Sequence, residues 1–230
     1  MLALLSPYNF HKISAPVALI SGVLSLSLFA IGIYLAFFAS PPDYQQGEFV
    51  RIMYIHVPSA WLSLGIYLFI TLCSISTIVW NAEMSYIFAV AAAPIGACFS
   101  LITLVTGSIW GKPIWGTWWV WDARLTSMLI LFLLYISYMI IVNSADSWKR
   151  AQRPASVIAI IGAINIPIVK FSVDIWNSLH QSATIFKAGG PSIDASMIKP
   201  LIVMFLACGF YFVAILMIRS ENLINRRRKK

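Results

Sequence analysis

Apolar residues in this chain gather into six long runs, at 16–39, 59–79, 85–109, 125–142, 155–171 and 200–218, separated by short stretches richer in polar residues. A helix rises about 1.5 Å per residue, so roughly 20 residues cross the ~30 Å hydrocarbon core of a bilayer. Inside that core each backbone polar group must find its partner within the segment, which makes α-helix the form for every run. The pattern predicts an all-α integral membrane protein of six transmembrane helices, with short outer loops that carry amphipathic helical segments. The first run is too long for a signal-peptide core and no small-x-small cleavage site follows it, so it is expected to remain a span. The fifth is the weakest, being short and carrying Asn165, Pro167 and Lys170 towards its end. No repeat, low-complexity tract or soluble domain interrupts the series, so residues 1–230 read as a single polytopic unit.

Composition agrees: 60% hydrophobic residues, 10% charged and a mean hydropathy of +0.84 leave too little polar surface for a soluble fold. An even number of spans puts both termini on one side. With cytoplasmic termini, Lys12, Lys149, Arg150, Arg153, Arg219, Arg226, Arg227, Arg228, Lys229 and Lys230 lie inside and the other six Lys/Arg outside, the excess that marks a cytoplasmic face. The basic tail then sets topology and touches anionic headgroups, so the expected partner is the lipid bilayer and not nucleic acid.

Three segments then face outward, 40–58, 110–124 and 172–199, and the middle one holds five of the nine Trp residues within twelve positions: Trp110, Trp115, Trp118, Trp119 and Trp121. An interfacial belt needs only one or two Trp per helix end. A cluster of rigid apolar faces outside a packed core suits a flat, greasy ligand.

Several chemistries are poorly supported. The cysteines Cys73, Cys98 and Cys208 sit singly in different spans, with no Cys-x-x-Cys for thiol exchange and no Cys-x-x-Cys-His for covalent haem. A phosphate-binding Gly-x-x-x-x-Gly-Lys-Ser/Thr loop is missing, so any ATP use belongs to a partner. No carboxylate lies mid-span, where a coupled transporter needs one.

Two of the three histidines fall on the outer face with the tryptophans. His56 precedes Pro58, which fits the first turn of the second span and holds His56 just above that helix. His180 follows Val173, Trp176 and Asn177 at i, i+3, i+4 and i+7 spacing, one face of a short helix. Imidazole ligates haem iron axially, and a porphyrin needs one ligand on each side with apolar groups around it. Zinc is the weaker alternative, because only Asp122 or Asp174 is at hand to complete its set. Arg51 and Arg124, at the outer ends of spans two and four, suit the two haem propionates through bidentate guanidinium pairing, with Lys112 a third candidate. Two other readings stand beside this one. A permease subunit would use the tryptophans as an aromatic cage for an organic cation, with Asp122 as counter-ion. An electron-carrying cytochrome b would need histidine pairs at mid-depth.

The stretch Trp110-Gly111 with Trp115-Gly-Thr-Trp118-Trp119-Val-Trp121-Asp122-Ala-Arg124-Leu-Thr126 resembles the WWD signature of haem-handling membrane proteins. With six spans and one outer histidine on each side of the signature, the whole chain resembles the cytochrome c maturation protein C family, also called haem exporter protein C. The larger cytochrome c synthetase relatives have more spans and additional transmembrane histidines. The resemblance implies that His56 and His180 are the axial ligands of haem b, iron protoporphyrin IX, held at the outer surface with Trp110, Trp115, Trp118, Trp119, Trp121 and Asp122 around it. It implies haem-lyase-like delivery to a periplasmic chaperone, cytochrome c maturation protein E. Partnership with a small single-span protein D and an ATP-binding cassette pair, proteins A and B, is implied as well, as is a bacterial inner membrane or its mitochondrial counterpart.

Overall fold

The computed structural model describes residues 7, 9–176, 178–180, 190 and 193–228. Its helices are α1 (His11–Tyr34), α2 (Met53–Trp80), α3 (Glu83–Trp115), α4 (Ala123–Ser144), α5 (Trp148–Gly162), α6 (Asn165–Ile175) and α7 (Ala195–Arg228). A π-helical turn, Leu35–Ala39, extends α1, and a 3-10 turn, Glu48–Ile52, leads into α2. Six segments are long and apolar enough to cross a bilayer, with α5 and α6 together forming the fifth. The protein is an all-α, multi-pass membrane protein.

The fifth span breaks where its chemistry dictates. Pro167 lacks an N–H, and its ring would collide with the Ala163 carbonyl four residues back, so α5 ends at Gly162 and α6 restarts at Asn165. Asn165 turns the break to use by donating its side-chain N–H to the Ser127 carbonyl of α4 at 2.9 Å.

Several expected boundaries move: α1 starts at His11 and not at 16, the fifth span starts at Trp148 and not at 155, and α7 spans Ala195–Arg228 and not 200–218, while three further shifts fall at the outer end. α3 continues six residues past 109, to Trp115, and stops where Gly116 takes φ +77° and donates its N–H to Lys112 O at 3.0 Å. Trp110 and Trp115 are therefore helical, and the loop proper is 116–122. α2 begins at Met53, so Pro58 lies inside it and His56 is part of its first turns rather than above them. α6 ends at Ile175, with Trp176 extended at φ −120° and ψ 151°, so Val173, Trp176 and His180 do not share a helical face; Asn177 lies outside the described residues. A helix would send the His180 N–H to the Trp176 carbonyl, but that N–H goes to Ser178 Oγ at 3.1 Å.

α3 is the central helix. Its Ala89, Ala91, Ala92, Ala93 and Ala97 are buried and let α2, α4 and α7 approach closely, while α1 packs along α7 and leaves Leu19, Ile20, Val23 and Leu26 exposed to lipid. At the end away from the tryptophan loop, Arg227 pairs with Glu83 and lies 4.9 Å from the Trp148 ring centroid, tying α7 to α3 and α5.

Glycines admit the largest buried side chains. A Cβ at Gly96 would lie 2.3 Å from the Tyr135 ring, and one at Gly162 would lie 2.1 Å from Tyr67 Oη. Tyr135 cannot swing aside, because its hydroxyl donates to Ser63 O at 2.6 Å and its ring packs edge-on against Tyr67 at 5.0 Å. We expect Gly96→Ala to lower the thermal unfolding midpoint of the detergent-solubilised protein, with an overpacking cost of about 1–3 kcal/mol. An unchanged midpoint by circular dichroism would contradict this packing.

Candidate functional site

The last turns of α3 organise the outer end. Gly107 and Gly111 lie four apart, on one stripe of the helix. A Cβ at Gly107 would lie 3.1 Å from His56 Cε1, and one at Gly111 would lie 2.8 Å from Trp115 Cε3. The bare stripe thus seats an imidazole from α2 and an indole from the end of α3. His56 also meets Trp110, edge to face at 75° with centroids 5.7 Å apart.

His56 Nδ1 lies 3.0 Å from Thr106 Oγ1, and that hydroxyl gives its proton to the Ile102 carbonyl at 2.6 Å. Thr106 Oγ1 is left to accept, so Nδ1 carries the hydrogen and Nε2 of His56 carries the lone pair.

His180 is arranged in parallel by different groups. Its ring meets Trp115 at 4.6 Å and 65°. Its Nδ1 lies 3.1 Å from Asp122 Oδ2, which also receives the Ser178 hydroxyl. Asp122 is the N-cap of α4, accepting the Leu125 N–H on Oδ1 at 2.8 Å, so the rigid helix fixes its carboxylate. Burial pushes that carboxyl up, but hydrogen bonds from Ser178, the Leu125 N–H and His180 outweigh it and hold it below the usual carboxylate range. Burial pushes the His180 imidazole down, Asp122 offsets part of this, and the balance lies below the ordinary 6.5, so the ring is neutral at pH 7. With Nδ1–H facing Asp122, Nε2 is again the nitrogen with a lone pair.

Arg124, in the first turn of α4, donates from Nε to Ser172 Oγ at 3.3 Å and faces the charges of Asp122 and Asp174. Arg51 pairs with Glu48 and donates Nη1 to the Ala36 carbonyl of the π-helical turn at 2.5 Å. It thereby ties the end of α1 to the start of α2, using two of its five N–H donors. In the loop, Trp118 and Trp121 are exposed by 57% and 76%, and Trp119 packs on Trp121 at 5.4 Å. Trp119 Nε1 is buried without an acceptor among the described residues. Lys112 lies 6.0 Å from the Trp118 ring centroid.

The structure joins His56 to Trp110, and His180 to Trp115 and Asp122. Asp122, expected at a ligand or as the counter-ion of a cage, has its carboxylate oxygens engaged by the Leu125 N–H, the Ser178 hydroxyl and the His180 ring. Among the described residues no three His, Cys, Asp or Glu side chains gather as a metal cluster. Thr106, Gly107, Ser178 and Gln46, whose Oε1 accepts the Trp110 indole N–H at 2.9 Å, were not singled out in the sequence, and Gly111 only as part of the tryptophan-rich signature. The Gly107-x-x-x-Gly111 spacing was the available signal for two of them.

Comparison with known proteins gives one consistent result. The family model described as Heme exporter protein C matches residues 1–230. A Heme exporter protein C of Bradyrhizobium diazoefficiens is 46% identical over 228 residues, 99% of this chain and 86% of that protein. The Escherichia coli protein of that name is 41% identical over 208 residues, covering 90% of this chain and 84% of its own length. A mitochondrial protein of Marchantia polymorpha, described as ccmC-like for cytochrome c biosynthesis, is 46% identical over 211 residues, 91% of this chain and 88% of that one.

Proposed function

Because the chain belongs to the heme exporter protein C family, we propose that it handles haem for cytochrome c biogenesis, holding haem b between His56 and His180 at the outer face of the membrane. From there it delivers the haem to a periplasmic haem chaperone. In this reading the termini are cytoplasmic, the membrane is the bacterial inner membrane or the mitochondrial inner membrane, and haem is cargo. The single-span protein D and the ATP-binding cassette pair A and B are its partners, ATP chemistry being theirs.

One observation carries the reading. Two imidazoles at the same end of the bundle each have Nδ1 bound to a protein acceptor, leaving Nε2 as the donor atom, and each has an indole from the end of α3 against its ring. That is the preparation an axial ligand requires: tautomer and ring plane set before iron arrives. The exposed faces of Trp118 and Trp121 suit a porphyrin edge and a docking chaperone, and the Trp119 N–H, without an acceptor among the described residues, suits an acceptor on the cargo. The test is transfer itself. Haem-loaded protein mixed with the apo-chaperone should pass its haem across, and His56→Ala or His180→Ala protein should not; transfer at the wild-type rate by both variants would sink the proposal.

Arg124, with Arg51 as helper, is proposed to bind the propionates. Hydrogen bonds to a charged group contribute roughly 1.5–3 kcal/mol, and a guanidinium gives two in parallel. Lys at position 124 should substitute poorly, keeping charge and losing the fork. We expect wild type to prefer haem over its neutral dimethyl ester and Arg124→Lys and Arg124→Ala to lose that preference in equilibrium titrations. Equal discrimination by all three would assign Arg124 to packing against Ser172 instead.

A further inference from the structure

The two histidines are backed by acceptors of different strength. Behind His180 stands a carboxylate that is buried, capped into α4 and bonded on both oxygens. Behind His56 stands a neutral hydroxyl whose proton is already committed to Ile102 O. A hydrogen bond from imidazole to a carboxylate is charge-assisted and about twice as strong as a neutral one, and it raises the electron-donating power of the opposite nitrogen. A Thr oxygen fixes the ring without that electronic effect.

On the premise that these histidines are the axial pair, we propose that they are unequal: Asp122 is a positioning residue that makes His180 the retained ligand, and His56, backed by Thr106, is the ligand that leaves when the iron changes partner. Handover then begins with dissociation of Nε2 of His56 from iron, the bond electrons returning to the imidazole as its lone pair. The opened coordination position accepts the incoming donor while His180 still holds the haem. No redox change is involved: one coordinate bond, from Nε2 of His56, breaks and one from the incoming donor forms.

Carbon monoxide, which binds ferrous haem by displacing one axial ligand, reports which one remains. The C–O stretching frequency falls as the ligand opposite it donates more strongly. In the haem-loaded full-length protein, reduced and exposed to carbon monoxide, His180 should be the remaining ligand. Asp122→Asn keeps the helix cap and removes the charge, so it should shift the C–O stretch upward. Thr106→Val, close to isosteric, should leave the frequency in place and speed carbon monoxide binding several-fold, since the departing ligand loses its support. A shift in Thr106→Val with none in Asp122→Asn would reverse the assignment, and a shift in neither would overturn the inequality. Wild-type protein without six-coordinate low-spin ferrous bands before carbon monoxide is added would overturn the axial pair itself. With those bands present, wrong shifts overturn only the inequality.

Discussion

His56→Gly and His180→Gly should each weaken haem retention by roughly 100-fold, about 2.8 kcal/mol, and the double replacement should do little more than the worse single. The losses are non-additive because an iron site with two strong ligands acts as a unit, and neighbouring groups that share one partner do not contribute independently. Free imidazole supplies the missing donor, entering the space the side chain vacated. Low-spin optical bands should therefore return to either single variant as imidazole is added, and His56→Gly should recover at a lower imidazole concentration than His180→Gly, since Asp122 cannot orient a free ligand as it orients the tethered one. Absence of recovery in a variant that is folded and inserted would remove that histidine from the coordination sphere.

The tryptophans should separate into two kinds of effect. Trp115 packs against His180, so Trp115→Ala should mainly loosen haem. Trp118 and Trp121 present exposed faces, so their replacement should mainly slow transfer to the chaperone while haem stays bound. An aromatic pair contributes about 0.5–1.5 kcal/mol beyond its buried area, so single changes should be partial. Removing Trp115, Trp118, Trp119 and Trp121 together should abolish chaperone loading. Loading at the normal level in that quadruple variant, followed by covalent haem on the chaperone, would refute the role of the loop.

Five of the six spans were legible as unbroken apolar runs of membrane length, a signal that tertiary context does not reverse, and the fifth in chain order, interrupted by Asn165 and Pro167, was legible only as a weaker run. Their ends were less so. α3 runs on to Trp115 because Gly116, and not Trp110, supplies the left-handed terminator, a distinction that a loop of aromatics conceals. Spacing placed His180 on a helical face with Trp176, yet Ser178 and Asp122 capture the His180 backbone and ring, and these local hydrogen bonds prevail over helical continuation. Asp122 was visible as a carboxylate beside the tryptophans. Its work as imidazole acceptor joins it to Ser178 and His180, 56 and 58 residues later, which no local pattern announces. Thr106 reaches His56 across 50 residues in the same way.

The central claim is that Nε2 of both His56 and His180 binds one iron, and electron paramagnetic resonance of the purified ferric protein from haem-replete cells tests it most directly. Low-spin signals of bis-imidazole haem are expected in wild type, converting to high-spin in His56→Gly and in His180→Gly and returning with added imidazole. A high-spin wild-type signal, or a low-spin signal that survives both replacements, would contradict it.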